Sequence, residues 1–208
     1  MAGGILKFLS ILENFMSIPR CSILLALSCA FSAAPCAHAL DQVFSLTSAD
    51  LSDQGTLGAA QVLDGFGCHG SNQSPQLSWT DPPAGTKSFA VTVYDPDAPT
   101  GSGWWHWVVY DLPASTRSLP AGAGASAGKG QPGSLPAGAQ QGRSDFGTQS
   151  FSGACPPAGD KPHRYVFTVH ALKVDKLAVP PAPSGAMVGF MLHANAPGSA
   201  RMTALYDR

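Results

Sequence analysis

The chain has 208 residues, enough for one domain or at most two, and a formal net charge of −1. With 12 Lys and Arg against 13 Asp and Glu, and no basic run or RNA-binding aromatic motif, there is no electrostatic case for nucleic acid. Only 12% of residues are charged while 23 are glycine and 18 proline, a balance that argues against a helical bundle and suits a loop-rich β protein.

The first forty residues differ from the rest. Arg20 precedes an apolar run from Ile23 to Phe31, and the small-residue site Ala37-His38-Ala39 comes next. This is the pattern of a secretory signal peptide cut after Ala39, with Met16 as an alternative start. The run is too short to span a bilayer as a stable helix. The expectation is a leader over 1–39, a single domain over 40–208, and a periplasmic or secreted location. Cys21, Cys29 and Cys36 leave with the leader, so Cys68 and Cys155 are an even pair in an oxidising compartment and are expected to form a disulfide. An uncut anchor and two buried free thiols are the competing readings.

Further along the chain, residues 76–86 read as a short strand and a turn. SFAVTVYD (88–95), HWVVYDL (106–112) and HRYVFTVHAL (163–172) read as strands bounded by Pro, Gly or Asp. Residues 113–142 are poor in large apolar side chains and read as a long surface excursion that buries no core. A helix is predicted after Ser184 as its cap, with Met187, Phe190, Met191 and Ala194 as the buried stripe and Pro197-Gly198 as the stop. The tail from Ala200 reads as a final strand.

Side-chain alternation puts His163 and Tyr165 on one face of the 163–172 strand. Asp95 ends one strand and His106 begins the next, so three strand termini can converge at one rim of a sheet. Pro96 and Pro99 stiffen the DPDAP hook, and one of its X-Pro bonds is a candidate for the cis form. A carboxylate held there beside His106 would favour the charged imidazole, with Trp104, Trp105 and Trp107 as an aromatic wall. Arg143 and Asp145 are placed as a rim ion pair. GASAG (124–128) matches a nucleophile-elbow pattern but lacks the flanking strand and helix. Two histidines and a carboxylate could also hold a metal, but no ligand-spacing motif supports one.

Three stretches, YDPDAPTGSGWWHWVVYDLPA, GACPPAGDKPHRYVFTVHAL and SGAMVGFMLHA, resemble the phosphatidylethanolamine-binding protein family, in its bacterial Raf-kinase-inhibitor-like branch. The resemblance spans roughly residues 43 to 208. It implies a mainly β fold, a large central β-sheet packed on a smaller sheet with a few short helices. It also implies a small anion pocket for phosphate-type or phospholipid head groups. By this resemblance Asp95, His106, His163, Tyr165 and Trp104 are ligand-binding residues. Pro156 joins them as the first proline of the family's Gly-x-Gly-Pro-Pro turn, which here reads Gly153-Ala154-Cys155-Pro156. Cys155 stands where the family has its second glycine, so it either narrows the pocket mouth or ties it to Cys68. No catalytic residue, metal or cofactor is assigned. The expected partner is a small anion, with contact to a membrane surface and a homodimer left open. An inhibitor of a kinase or protease is the alternative function, and a histidine-dependent phosphoester hydrolase a third.

Overall fold

The computed structural model describes residues 43–125 and 135–208. The expected leader and most of GASAG lie outside them. In chain order the strands are β1 (Ser45–Thr47), β2 (Gly55–Thr56), β3 (Asp64–Gly65), β4 (Cys68–His69), β5 (Leu77–Thr80), β6 (Ser88–Asp95), β7 (Trp104–Pro113), β8 (Ser118–Leu119), β9 (Gln140–Gln141), β10 (His163–Leu172) and β11 (Gly198–Tyr206), with helix α1 (Gly185–Asn195) before the last. A six-stranded sheet runs β2-β11-β10-β6-β7-β9, a three-stranded sheet runs β1-β5-β8, and β3 and β4 form a separate hairpin.

The central position of β6 has its origin in its sequence. SFAVTVYD has no charge before its last residue, and seven of its eight positions are buried. A strand that is apolar on both faces needs a layer on each side. On one face Val91 and Val93 pack with Phe167, Val169, Trp107 and the small-sheet residues Leu77, Trp79 and Leu119. On the other, Ala90 packs with Val108, Leu172 and the helix residues Val188 and Leu192. Full burial of each large apolar side chain stabilises by about 1.5–3 kcal/mol relative to exposure.

The helix begins as predicted, with Ser184 Oγ accepting the Met187 N–H at 3.2 Å. Its buried stripe is not the predicted one. Gly185, Val188 and Leu192 are buried, while Met187 is 45% and Phe190 71% exposed. The reason is steric: a Cβ on Gly185 would stand 2.4 Å from the Trp105 ring, and one on Gly189 3.2 Å from it. The bare backbone of two glycines lets α1 dock on Trp105, and that contact sets the helix rotation.

The 113–142 segment also departs from the expectation. It returns to the protein at β8, where Leu119 is fully buried in the main core. It returns again at β9, which edges the central sheet and whose Gln141 Oε1 accepts the Trp107 indole N–H at 2.6 Å. A few well-placed side chains suffice where the average composition is poor. The cis X-Pro expectation fails, since no described peptide bond is cis.

Candidate functional site

The site is made by a β-bulge. Along β6 and β7, Val93 pairs with Trp107 and the next residue, Tyr94, pairs with Trp105, which leaves His106 as an extra residue. An extra residue resets the side-chain alternation and re-aims its neighbours on the strand. Trp107 belongs to the main core, and His106 still faces that side, its ring 5.1 Å from Tyr165. Trp105 turns to the opposite face and packs with α1. Unbroken alternation would have put His106 and Trp107 on opposite faces.

Backbone contacts hold the bulge. His106 donates its Nδ1–H to the Ser152 carbonyl at 2.8 Å, and the Ser152 N–H returns a bond to the His106 carbonyl at 3.0 Å. This is the one hydrogen bond of the His106 ring among the described residues. It assigns the proton of the neutral ring to Nδ1 and leaves Nε2 open. Burial pushes the His106 pKa down, against the opposing pull of the Ser152 carbonyl and the Asp95 charge. The expectation of a charged His106 is therefore corrected: the buried imidazole is neutral.

Asp95 does converge with these residues, but its imidazole partner is His163 and not His106. Asp95 Oδ2 accepts from His163 Nδ1 at 2.8 Å, while Oδ1 accepts the Asp97 and Ala98 N–H groups of its own hook at 2.8 and 3.1 Å. His163 Nε2 lies 3.4 Å from Asp160 Oδ2, so both of its nitrogens face carboxylates. Asp97 fastens the hook to β10 through a bidentate bond to the Arg164 guanidinium at 2.8 and 2.7 Å. That guanidinium holds the Asp97 carboxyl down at about 2.

Two polar atoms at the centre are unspent. The Tyr165 hydroxyl and the Trp104 indole Nε1 are buried without a hydrogen-bond partner among the described residues; the third such atom, Trp79 Nε1, lies in the main core. Burial pushes the Tyr165 pKa far up, so it stays a neutral donor. Phe146 stands between the parts, edge-on to Trp104 and to His106 at 5.4 Å each.

Pro156 is buried in the turn after Cys155, and its carbonyl accepts from Arg208 Nε at 2.6 Å. Cys155 is bonded to Cys68, which ties this turn to the β3–β4 hairpin. The predicted Arg143–Asp145 pair is absent among the described residues. Asp145 instead accepts the Trp105 N–H at 2.8 Å, stitching its loop to β7. Sequence reasoning missed Phe146, Asp160 and Arg208. Asp160 lies three residues before His163 and could have been found by that spacing; Phe146 is a lone aromatic in polar loop sequence, and Arg208 a terminal residue, with no pattern to mark either.

The comparisons with known proteins agree with this architecture. The family model described as phosphatidylethanolamine-binding protein matches residues 47–207. The Escherichia coli K12 protein YbcL is 54% identical over 79% of this chain and 87% of its own. YbhB of the same organism is 52% identical over 78% of this chain and 99% of its own. The crystal structure of E. coli YbcL, described as a new member of the mammalian family, superposes with a TM-score of 0.76 at 53% identity, covering 79% of this chain and 98% of that one. The chain belongs to the phosphatidylethanolamine-binding protein family.

Proposed function

We propose that the protein is an exported binding protein for a small phosphate-type anion or phospholipid head group. The observation that carries this is the pair of buried donors, Tyr165 O–H and Trp104 Nε1–H, left without partners among the described residues around His106. A buried donor without a partner costs roughly 1–3 kcal/mol, and an oxygen-rich ligand repays it. The carboxylates of Asp95 and Asp160 favour a ligand that also carries a proton or an ammonium group. Binding is the favoured reading because no protein hydroxyl or thiol hydrogen-bonds to His106 or His163 among the described residues, so neither imidazole is paired with a side-chain nucleophile. Export is supported by the leader pattern, by the Cys68–Cys155 bond, and by a family match that begins only at residue 47.

An anion beside Nε2 raises the His106 pKa, so binding takes up a proton and affinity falls as pH rises from 5 to 8. Isothermal titration with inorganic phosphate and with phosphoethanolamine tests the reading. The wild-type protein should bind at least one of them, with proton uptake, and Tyr165→Phe should weaken binding about tenfold or more. No binding at millimolar concentration, or an unchanged affinity in Tyr165→Phe, would overturn it.

A further inference from the structure

The β3–β4 hairpin pairs Asp64 with His69 and Gly65 with Cys68, which leaves Phe66-Gly67 as a two-residue turn. Both turn residues have positive φ, 54° and 81°. This is the geometry of a primed hairpin turn, whose first position favours Asn, Asp or Gly. A phenylalanine there takes the left-handed strain with no local hydrogen bond to offset it. Nor is its ring buried in exchange, for Phe66 is 80% exposed. Neither the turn nor the core explains a phenylalanine at this position.

The ring does have a direction. It lies 5.9 Å from Phe146, and Phe146 touches His106 and Trp104 at 5.4 Å each. An aromatic row thus leads from solvent to the unpartnered donors. The turn is also pinned. The Cys68–Cys155 bond ties the hairpin to the turn beside Tyr165, and the Arg208 guanidinium bonds the Gly67 carbonyl at 3.2 Å and the Pro156 carbonyl at 2.6 Å. An exposed, strained aromatic that is held rigidly in place fits contact with a ligand.

We propose that Phe66 is a specificity residue of the anion site: its ring packs against an apolar substituent on the bound anion, so the site selects organic phosphate esters over inorganic phosphate. This rests on the anion-binding function proposed above. Covering half of a phenyl ring is worth about tenfold in affinity.

The test compares inorganic phosphate, phenyl phosphate and hexyl phosphate by titration calorimetry on wild type and Phe66→Asn. Asparagine suits the turn, so the variant should melt at or above the wild-type temperature. Wild type should prefer at least one ester over inorganic phosphate by about tenfold. The variant should lose that preference while its inorganic phosphate affinity stays unchanged. A stronger loss for phenyl or for hexyl phosphate names the substituent as aromatic or aliphatic. Inorganic phosphate bound normally with the ester preference intact in the variant sinks the role of Phe66 alone. A melting point lowered by several degrees makes Phe66 structural and overturns it as well. Failure of all three probes to bind wild type removes the anion-binding function itself.

Discussion

Each face of the central sheet carries a histidine, fully buried on one side and half-buried on the other, and the two are finished differently. On the α1 side His170 shares a hydrogen bond with Thr92 at 3.1 Å across neighbouring strands. Burial, with the nearby Arg201 charge, pushes its pKa down to about 4. On the other side His106 is fully buried and neutral, but Tyr165 and Trp104 beside it keep donors without partners among the described residues. A histidine with a lowered pKa therefore does not mark a site by itself. What marks it is polar capacity that the fold leaves unused.

The contrast is broken most severely by removing the Cys68–Cys155 bond on the His106 side. Cys68 and Cys155 close a loop of sequence separation 87, so replacing both with serine should cost about 4 kcal/mol in urea unfolding. An unchanged midpoint would show that the turn beside Tyr165 is held without it. Next, paired variants set the two faces against each other. Tyr165→Phe should lose about 1.5–3 kcal/mol of anion binding, since the hydroxyl's partner is the ligand, and nothing in stability. Thr92→Val should do the reverse, losing about 0.5–1.5 kcal/mol of stability with the hydrogen bond to His170, with anion affinity intact. If Thr92→Val weakens binding, the two faces are coupled.

Acid should then drive stability and binding apart. A histidine whose pKa falls on folding contributes stability that is complete above the unfolded value near 6.5 and is lost as pH drops towards the folded value, about 4 for His170. Urea midpoints should therefore fall from pH 7 to pH 4.5, while anion affinity rises over the upper part of that interval. A His170→Gln variant should flatten the stability curve and leave the binding curve alone. The smallest effect belongs to Arg164→Gln. Its bond with Asp97 is half exposed and worth ~0–1 kcal/mol. Because Asp97 is held at about 2, that contribution is present above its ordinary value of 3.8 and is lost only as pH falls through about 2.

Much of the fold is legible in the residues. SFAVTVYD and HRYVFTVHAL show strand periods and turn boundaries that are local properties, and both strands span the expected residues. The Ser184 cap is legible for the same reason, since a cap acts within one helical turn. The α1 rotation is not. Met187 and Phe190 look like a buried stripe, but apolar spacing cannot show that two glycines on another face fit over Trp105.

At the site, short-range features of the chain suffice to say which groups stand at the three strand ends, because the hook, the strand starts and the prolines are all local. How those groups are wired is settled only by the packed fold. The bulge at His106 exists only as a register between β6 and β7. The choice of His163 over His106 as the partner of Asp95 depends on β10 lying beside β6, 68 residues apart in sequence. The neutrality of His106 is set by what buries it. Pairing and burial are properties of several strands at once, and no local pattern encodes them.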